Sequence, residues 1–412
     1  MLGYSALSEA PLSTLPSAGG AGVSVNLTGV EATGAVGTVT VSAAISVSVD
    51  VAGVQATGAV GTLTATGTSN TTLTGVEGTG AVGTVTAVLG GATVNVTGVE
   101  ATGAVGTVTV TATETATVDL TGVEATGAVG SVTVETTESV SVDLIGVEAT
   151  GDIGTVTVDI AGFVTVNVTG VDATGSVGTV TVNAGSDTGV TGVEATGSVG
   201  SASVTGTSST ALTGVEGTGE VGDATVDTAG NITVQLTGVE ATGQIGTATV
   251  TGTSSTNLTG VEATGAVGTA TVDLRTRAAL TGVEATGAVG TATVNAGASV
   301  TLTGVEGTGQ IGDVIIPQPG SAEVTGVEGT GQIGNAVVRL NATATVTGVS
   351  ALSDVGYATV KISQVIEAIG VYAIGQIGQI NLWGPVIIPP DDPNWTPTGE
   401  AAADPNWFDV PV

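Results

Sequence analysis

An all-β fold, an elongated array of short β-hairpin repeats with no helical domain, is what this chain's residues predict. Three observations carry that prediction. One phrase, LTGVEATGAVGTVTV at Leu27–Val41, returns with small changes down to Gln379, about sixteen times. Its arms alternate apolar and polar residues, as in Thr38-Val39-Thr40-Val41, which is the period of a strand with one buried face. Glycine supplies 68 residues and recurs at fixed places in the phrase, which marks required backbone geometry and not a flexible linker.

The centre of the phrase is nearly a mirror about Thr33. Val30 answers Val36, Gly29 answers Gly37 and Thr28 answers Thr38. A hairpin has that symmetry, because residues equidistant from its turn sit opposite each other. Ala32-Thr33-Gly34 then reads as a three-residue loop, a type I turn closed by Gly34 in the left-handed region. The structural turn residues are Thr33 and Gly34, flanked by the paired glycines Gly29 and Gly37. If the strand stays regular, Val30 and Val36 point away from the face that carries Leu27 and Val39. The glycine pair leaves a place without side chains, suited to a bend or to close backbone approach.

The glycine of the TGV step falls at 29, 53, 75, 98, 122, 146 and onward to 370, with spacings of 22 or 24 and a single 23. Two added residues lengthen both arms of a hairpin equally; one added residue needs a bulge, for which Gly90-Gly91 is placed. Turn residues mark the variable stretches between phrases, at Asn183-Ala184-Gly185, Ala229-Gly230-Asn231, Asn295-Ala296-Gly297 and Pro319-Gly320.

Two architectures fit this repeat, an antiparallel meander of hairpins or a β-solenoid with one coil per repeat. In a solenoid the glutamates at 31, 77, 100 and 124 stack one strand apart. Like charges ~4.8 Å apart repel by roughly 0.9 kcal/mol in water, and the meander about halves this. Charge and mirror symmetry both favour the meander, with the solenoid as the alternative. A lone meander cannot bury its valine stripe, so a homo-oligomer follows, with a trimer favoured.

The array spans residues 25–382. Residues 1–24 form an N-terminal anchor or joint, in which Ser5-Ala6-Leu7-Ser8 echoes Ser350-Ala351-Leu352-Ser353. The last phrases exchange Thr and Glu for Ile, Tyr and Trp, as terminal repeats do when they cap an array or dock. Residues 383–412 are a Pro-containing tail with a duplicated Asp-Pro-Asn-Trp unit. Tyr372 in the last phrase, with Trp383, Trp395 and Trp407 in the tail, are the candidate docking residues, since aromatic rings anchor contacts well.

A net charge of −32, with 36 acids against four bases, argues against nucleic acid and against an anionic membrane. The start of the chain lacks a secretory signal pattern, and no apolar run approaches ~18 residues, so no helix spans a bilayer. Without Cys or His, thiol and imidazole chemistry and Cys/His metal sites are excluded. Carboxylates recur once per repeat, so no unique pair is singled out for acid–base work. The glutamate row offers oxygens to Ca²⁺ or Mg²⁺ but lacks an Asp-rich loop of calcium spacing. The reading is therefore no enzyme, no cofactor, no catalytic residue and no metal site.

The phrases LTGVEATGAVGTVTV and VEGTGQIG, the opening GYSALSEAPLS and the closing PNW units resemble repetitive virion structural proteins of marine tailed phages, including phages of cyanobacteria. The resemblance implies a fibre or appendage on the virion exterior, docked to other virion proteins, with a host surface receptor as a further partner. No receptor-binding head follows the repeats, so a shaft, spacer or connector is the implied role. Two other readings stand beside it. One is a bacterial cell-surface adhesin or secreted filament. The other is an ice-binding protein, suggested by Thr38-Val39-Thr40 but opposed by the change to Thr-Ala-Thr at 247–249 and to Asp-Val-Ile at 313–315.

Overall fold

A computed structural model shows an all-β chain with parallel strands stacked in a β-solenoid. It describes residues 24–383 except 43–47, 91, 114–115, 138–140, 161–164, 186, 208, 229–232, 253–254, 275–276, 296–298, 319–320, 331, 341–342, 352–353, 363–364 and 374–375. The chain divides into two compact units, Met1–Gly206 and Thr207–Val412.

Each repeat contributes a leading strand that ends in GVEA or its variant and a trailing strand that starts at the AVG or VG step. In the first unit the leading strands begin with Ser24–Ala32, Ser48–Ala56 and Asn70–Gly78 and continue to Thr188–Ala195. They form one parallel sheet, while Val36–Ser42, Ala59–Gly67, Ala81–Leu89 and their successors to Val199–Gly206 form the other. The second unit repeats this arrangement from Thr210–Gly217 to Gln376–Trp383.

The antiparallel meander is therefore corrected to a parallel solenoid. Val30 pairs with Val54 of the next repeat, and Val54 with Val76, rather than with Val36 across a turn. Among the described residues, every strand pairing is parallel.

The mirror in the sequence has a second physical cause. When a chain turns a corner from one sheet into the other, residues equidistant from the corner face each other through their side chains. In the second coil Val49, Val51, Val54 and Ala56 on one side and Val60, Leu63 and Ala65 on the other are all buried. Their pattern is that of a hairpin whose two strands have rotated a quarter turn. Burying the five Val and Leu side chains is worth roughly 7–15 kcal/mol per coil, against roughly 0.9 kcal/mol of glutamate repulsion. Burial wins by an order of magnitude. The valine stripe is covered within one chain, so the packing argument for a trimer falls away.

The expected change of face at the glycines does not occur. Buried positions run 49 and 51, then 54 and 56, so the parity shifts at Gly53, whose φ is 64°. One left-handed residue acts as a bulge and returns the next valine to the core. The equivalent glycine repeats this through the chain, with φ between 63° and 67° from Gly29 to Gly370. The left-handed residue is thus Gly29 and its successors, not Gly34. In the trailing strand the shift falls at Gly61, between buried Val60 and Leu63. There a Cβ would stand 2.7 Å from the Gly37 carbonyl oxygen of the coil before.

The Ala32-Thr33-Gly34 step is a corner, not a hairpin loop. Thr57 N–H donates to Ala32 O at 3.0 Å and Gly58 N–H to Gly34 O at 2.8 Å, one coil back. These bonds satisfy backbone groups that a hairpin would have closed within its own turn. A Cβ on Gly58 would collide with that Gly34 oxygen.

Length variation sits in the loops and not in the arms. Gly67 pairs with Leu89, 22 residues on, but Asn70 pairs with Thr93, 23 on, so the extra residue lies beside Gly90. Of the expected variable turns, Ala184 ends the strand Val177–Ala184, while 229–231, 296–297 and 319–320 lie outside the described residues.

Candidate functional site

The two sheets present chemically different outer faces. On the leading face of the first unit, one register column reads Glu31, Gln55, Glu77, Glu100, Glu124, Glu148, Asp172 and Glu194. In the second unit the equivalent column reads Glu216, Glu240, Glu262, Glu284, Glu306 and Glu328, then Ser350 and Tyr372. The solenoid places these acids one strand apart because the bulge glycine lies two residues earlier and fixes which residues point outward.

The charges feel their neighbours. Partial burial raises the Glu284 carboxyl above the ordinary range, and Glu262 and Glu306 on either side add to it. Burial raises Asp172 as well, helped by Glu194 and Glu148. A second column holds Asn95, Asp119, Asp143 and Asn167, where burial and then Asp143 raise Asp119. Amides interrupt the repulsion. Gln55 Nε2 donates to Glu77 Oε2 at 2.8 Å, and Asn167 Nδ2 to Asp143 Oδ1 at 2.9 Å. Among the described residues no group of three or more metal-ligating side chains is assembled.

The trailing face carries hydroxyls. Thr38, Thr62, Thr84 and Thr107 make one column, continued by Ser131, Thr155, Thr179 and Ser201. Thr40, Thr64, Thr86, Thr109, Thr133, Thr157, Thr181 and Ser203 make a second. The Thr-Ala-Thr steps keep these columns, because Ala248, Ala270 and Ala292 are buried while the threonines around them face outward. The Thr-Ala-Thr steps therefore do not end the row, whereas the expected loss at Asp313-Val314-Ile315 does occur, where Thr293 meets Ile315. Asp223 and Asp313 stand in the threonine place, and each changes the backbone. Asp313 Oδ1 accepts from Asn335 N–H at 3.0 Å, and Asp223 Oδ1 from Thr247 N–H at 3.2 Å. The strand stops around each: Gln310–Ile311 and Val314–Gln318 are separate segments. The short IGD, IGN and VGD phrases could have signalled these breaks.

At the corners, threonine hydroxyls tie coils together. Thr286 Oγ1 donates to Thr264 O at 2.7 Å and Thr330 Oγ1 to Thr308 O at 2.8 Å. Thr33 is the corner threonine of the first coil and Gly34 the glycine that follows it, while Gly29 and Gly37 stand at the two parity shifts of that coil.

Of the candidate docking residues, the two that are described, Tyr372 and Trp383, lie in different sheets. Tyr372 lies in the leading strand Val365–Ala373, in the glutamate column beside Ser350. Trp383 ends the trailing strand Gln376–Trp383, opposite Lys361, which itself follows Arg339 in register. Trp395 and Trp407 lie outside the described residues, as do 1–23 and 384–412. The basic–aromatic succession of Arg339, Lys361 and Trp383 went unnoticed in the sequence, because only stacking at 22-residue intervals aligns it. Comparison of the chain with protein-family models, curated proteins and solved structures finds no match among any of them.

Proposed function

We propose that this chain is a non-enzymatic structural protein of a tailed-phage virion, the shaft of an exterior fibre or appendage. The single observation that supports the reading is monotony: coil after coil offers the same core, the same corner and the same outer columns. A function that needs distance and stiffness uses such repetition, whereas catalysis needs one place unlike the rest. The acidic leading face keeps copies apart in solution, and attachment to other virion proteins falls to the ends. Host-surface attachment follows as a secondary role of the same appendage.

Immunogold electron microscopy with antibodies to the repeat, applied to intact particles carrying this chain, tests the proposal. Label along an exterior appendage is expected. Label on bacterial surfaces with bare particles would instead select the adhesin or filament reading.

One observation favours a second reading, ice binding. The two hydroxyl columns form a regular, largely uncharged grid, with ~4.8 Å between coils and roughly 7 Å along each strand. Thermal hysteresis in a freezing assay decides it, and its absence at millimolar protein removes the reading.

A further inference from the structure

The two outer faces of the first unit differ sharply in charge. Its leading strands hold ten Asp and Glu residues, whereas its trailing strands hold two, Glu135 and Asp159. The trailing strands Val36–Ser42, Ala59–Gly67, Ala81–Leu89 and Ala104–Ala112 hold none. Across those four coils the trailing face shows two unbroken threonine columns, from Thr38 and Thr40 to Thr107 and Thr109. None of these threonines is buried.

We propose that this hydroxyl face is the contact between two copies of the chain, packed trailing face against trailing face about a two-fold axis. Charge selects it. A chain of net charge −32 repels its own copy, and the repulsion is least where the approaching strands carry no acid. Leading faces brought together would instead oppose two carboxylate columns. Repeat spacing selects it too. Both copies carry their columns at the same ~4.8 Å, so threonine methyls of one seat between those of the other, coil after coil. A hydroxyl both donates and accepts, so the same columns satisfy each other across the contact.

Size sets the strength. Eight trailing strands at ~4.8 Å, with two columns and their flanks about 14 Å wide, cover roughly 500 Å² per copy. The total of about 1,000 Å² is at the low end for a specific contact, so the dimer is weak and reversible. It also stops at two. Each dimer turns its acidic leading faces outward, where a third copy meets carboxylates.

Sedimentation of the full chain should show a monomer–dimer equilibrium between about 1 and 100 µM, tightening as salt screens the acids. Thr86 and Thr109 are register partners on the trailing face, and Thr74 and Thr97 are register partners on the leading face of the same two coils. T86E/T109E should weaken the dimer at least tenfold, while T74E/T97E, with the same added charge, leaves it intact. Circular dichroism checks that both variants keep their β-structure. Should T86E/T109E lose it, a label added after folding decides: in this cysteine-free chain, a bulky maleimide on T109C should block the dimer and the same label on T97C should not. A dimer that survives both trailing perturbations, or yields equally to the leading ones, would overturn the proposal. So would a chain that stays monomeric to about 100 µM at high salt, or one that forms trimers in place of dimers. Loosening as salt is added would put ion pairs at the contact and overturn it as well. Thermal hysteresis from a monomeric chain would give the face to ice instead.

Discussion

Two glycines of one repeat are required for different reasons, and substitutions separate those reasons. Gly98 has φ of 63°, but a Cβ on it would meet only ordinary contacts, such as Gly75 N at 3.8 Å. Gly106 has no unusual φ, but its Cβ would stand 2.6 Å from Gly83 O and 3.2 Å from Gly83 C. Gly98→Ala therefore carries the left-handed penalty, roughly 1–2 kcal/mol. Gly106→Ala must push two strands apart by several tenths of an ångström. Overpacking at about 1–3 kcal/mol with a weakened ladder bond at about 1 kcal/mol gives roughly 2–4 kcal/mol. Asparagine tolerates the left-handed region, so Gly98→Asn should recover much of the loss, while Gly106→Asn should be at least as harmful as alanine. Denaturant unfolding followed by circular dichroism measures all four variants. If Gly106→Ala is as mild as Gly98→Ala, or Asn rescues neither site, the column-by-column reasoning is wrong.

Three further outcomes follow from the same structure. The raised carboxyls at Glu284, Asp172 and Asp119 bind protons more readily folded than unfolded, so they favour the fold below the ordinary carboxylate range, about pH 4, and lose that advantage as pH rises through their raised values. Their contribution to the melting temperature should grow on acidification, and Glu284→Gln should flatten it; a variant with the same pH profile as the parent would contradict this. Asp313→Ala removes the charged acceptor of the Asn335 N–H, a bond worth about 1.5–3 kcal/mol, and Asp313→Asn should restore most of it, read by exchange of that amide. One residue inserted beside Gly90 should shift stability by less than about 0.6 kcal/mol, whereas one inserted between Val108 and Val110 should disrupt the register of its strand.

Much of this was legible from residues alone. The recurring phrase, its period-two arms and its fixed glycines led to an all-β repeat with no helix. The sequence could not separate a hairpin from a corner, because Val30 and Val36 are equidistant from Thr33 in both. The difference lies in where the Thr33 and Gly34 steps send their amides, across the turn or to the next coil, and no side chain records that choice. Electrostatics was also given too much weight. The glutamate ladder is unfavourable, but it is small beside the valine, leucine and alanine columns that only in-register stacking buries. The face change at Gly29 was inferred from a regular strand, and one left-handed residue per repeat removes that regularity. The outward threonines at 247 and 249 were discounted for the alanine between them, which the core hides. Tyr372 and Trp383 were singled out by rarity alone, and their register shows two separate sheets.

Parallel stacking of successive repeats is tested most directly by paired spin labels in this cysteine-free chain. Thr107 and Ser131 are register partners in the trailing sheet, one coil apart. Labels there should broaden strongly, with backbones ~4.8 Å apart. Thr97 and Thr107 oppose each other in a hairpin but lie on opposite outer faces of the solenoid, beyond the ~10 Å between packed sheets. Labels at that pair should stay narrow. Strong coupling at 97/107 with none at 107/131 would contradict the solenoid outright.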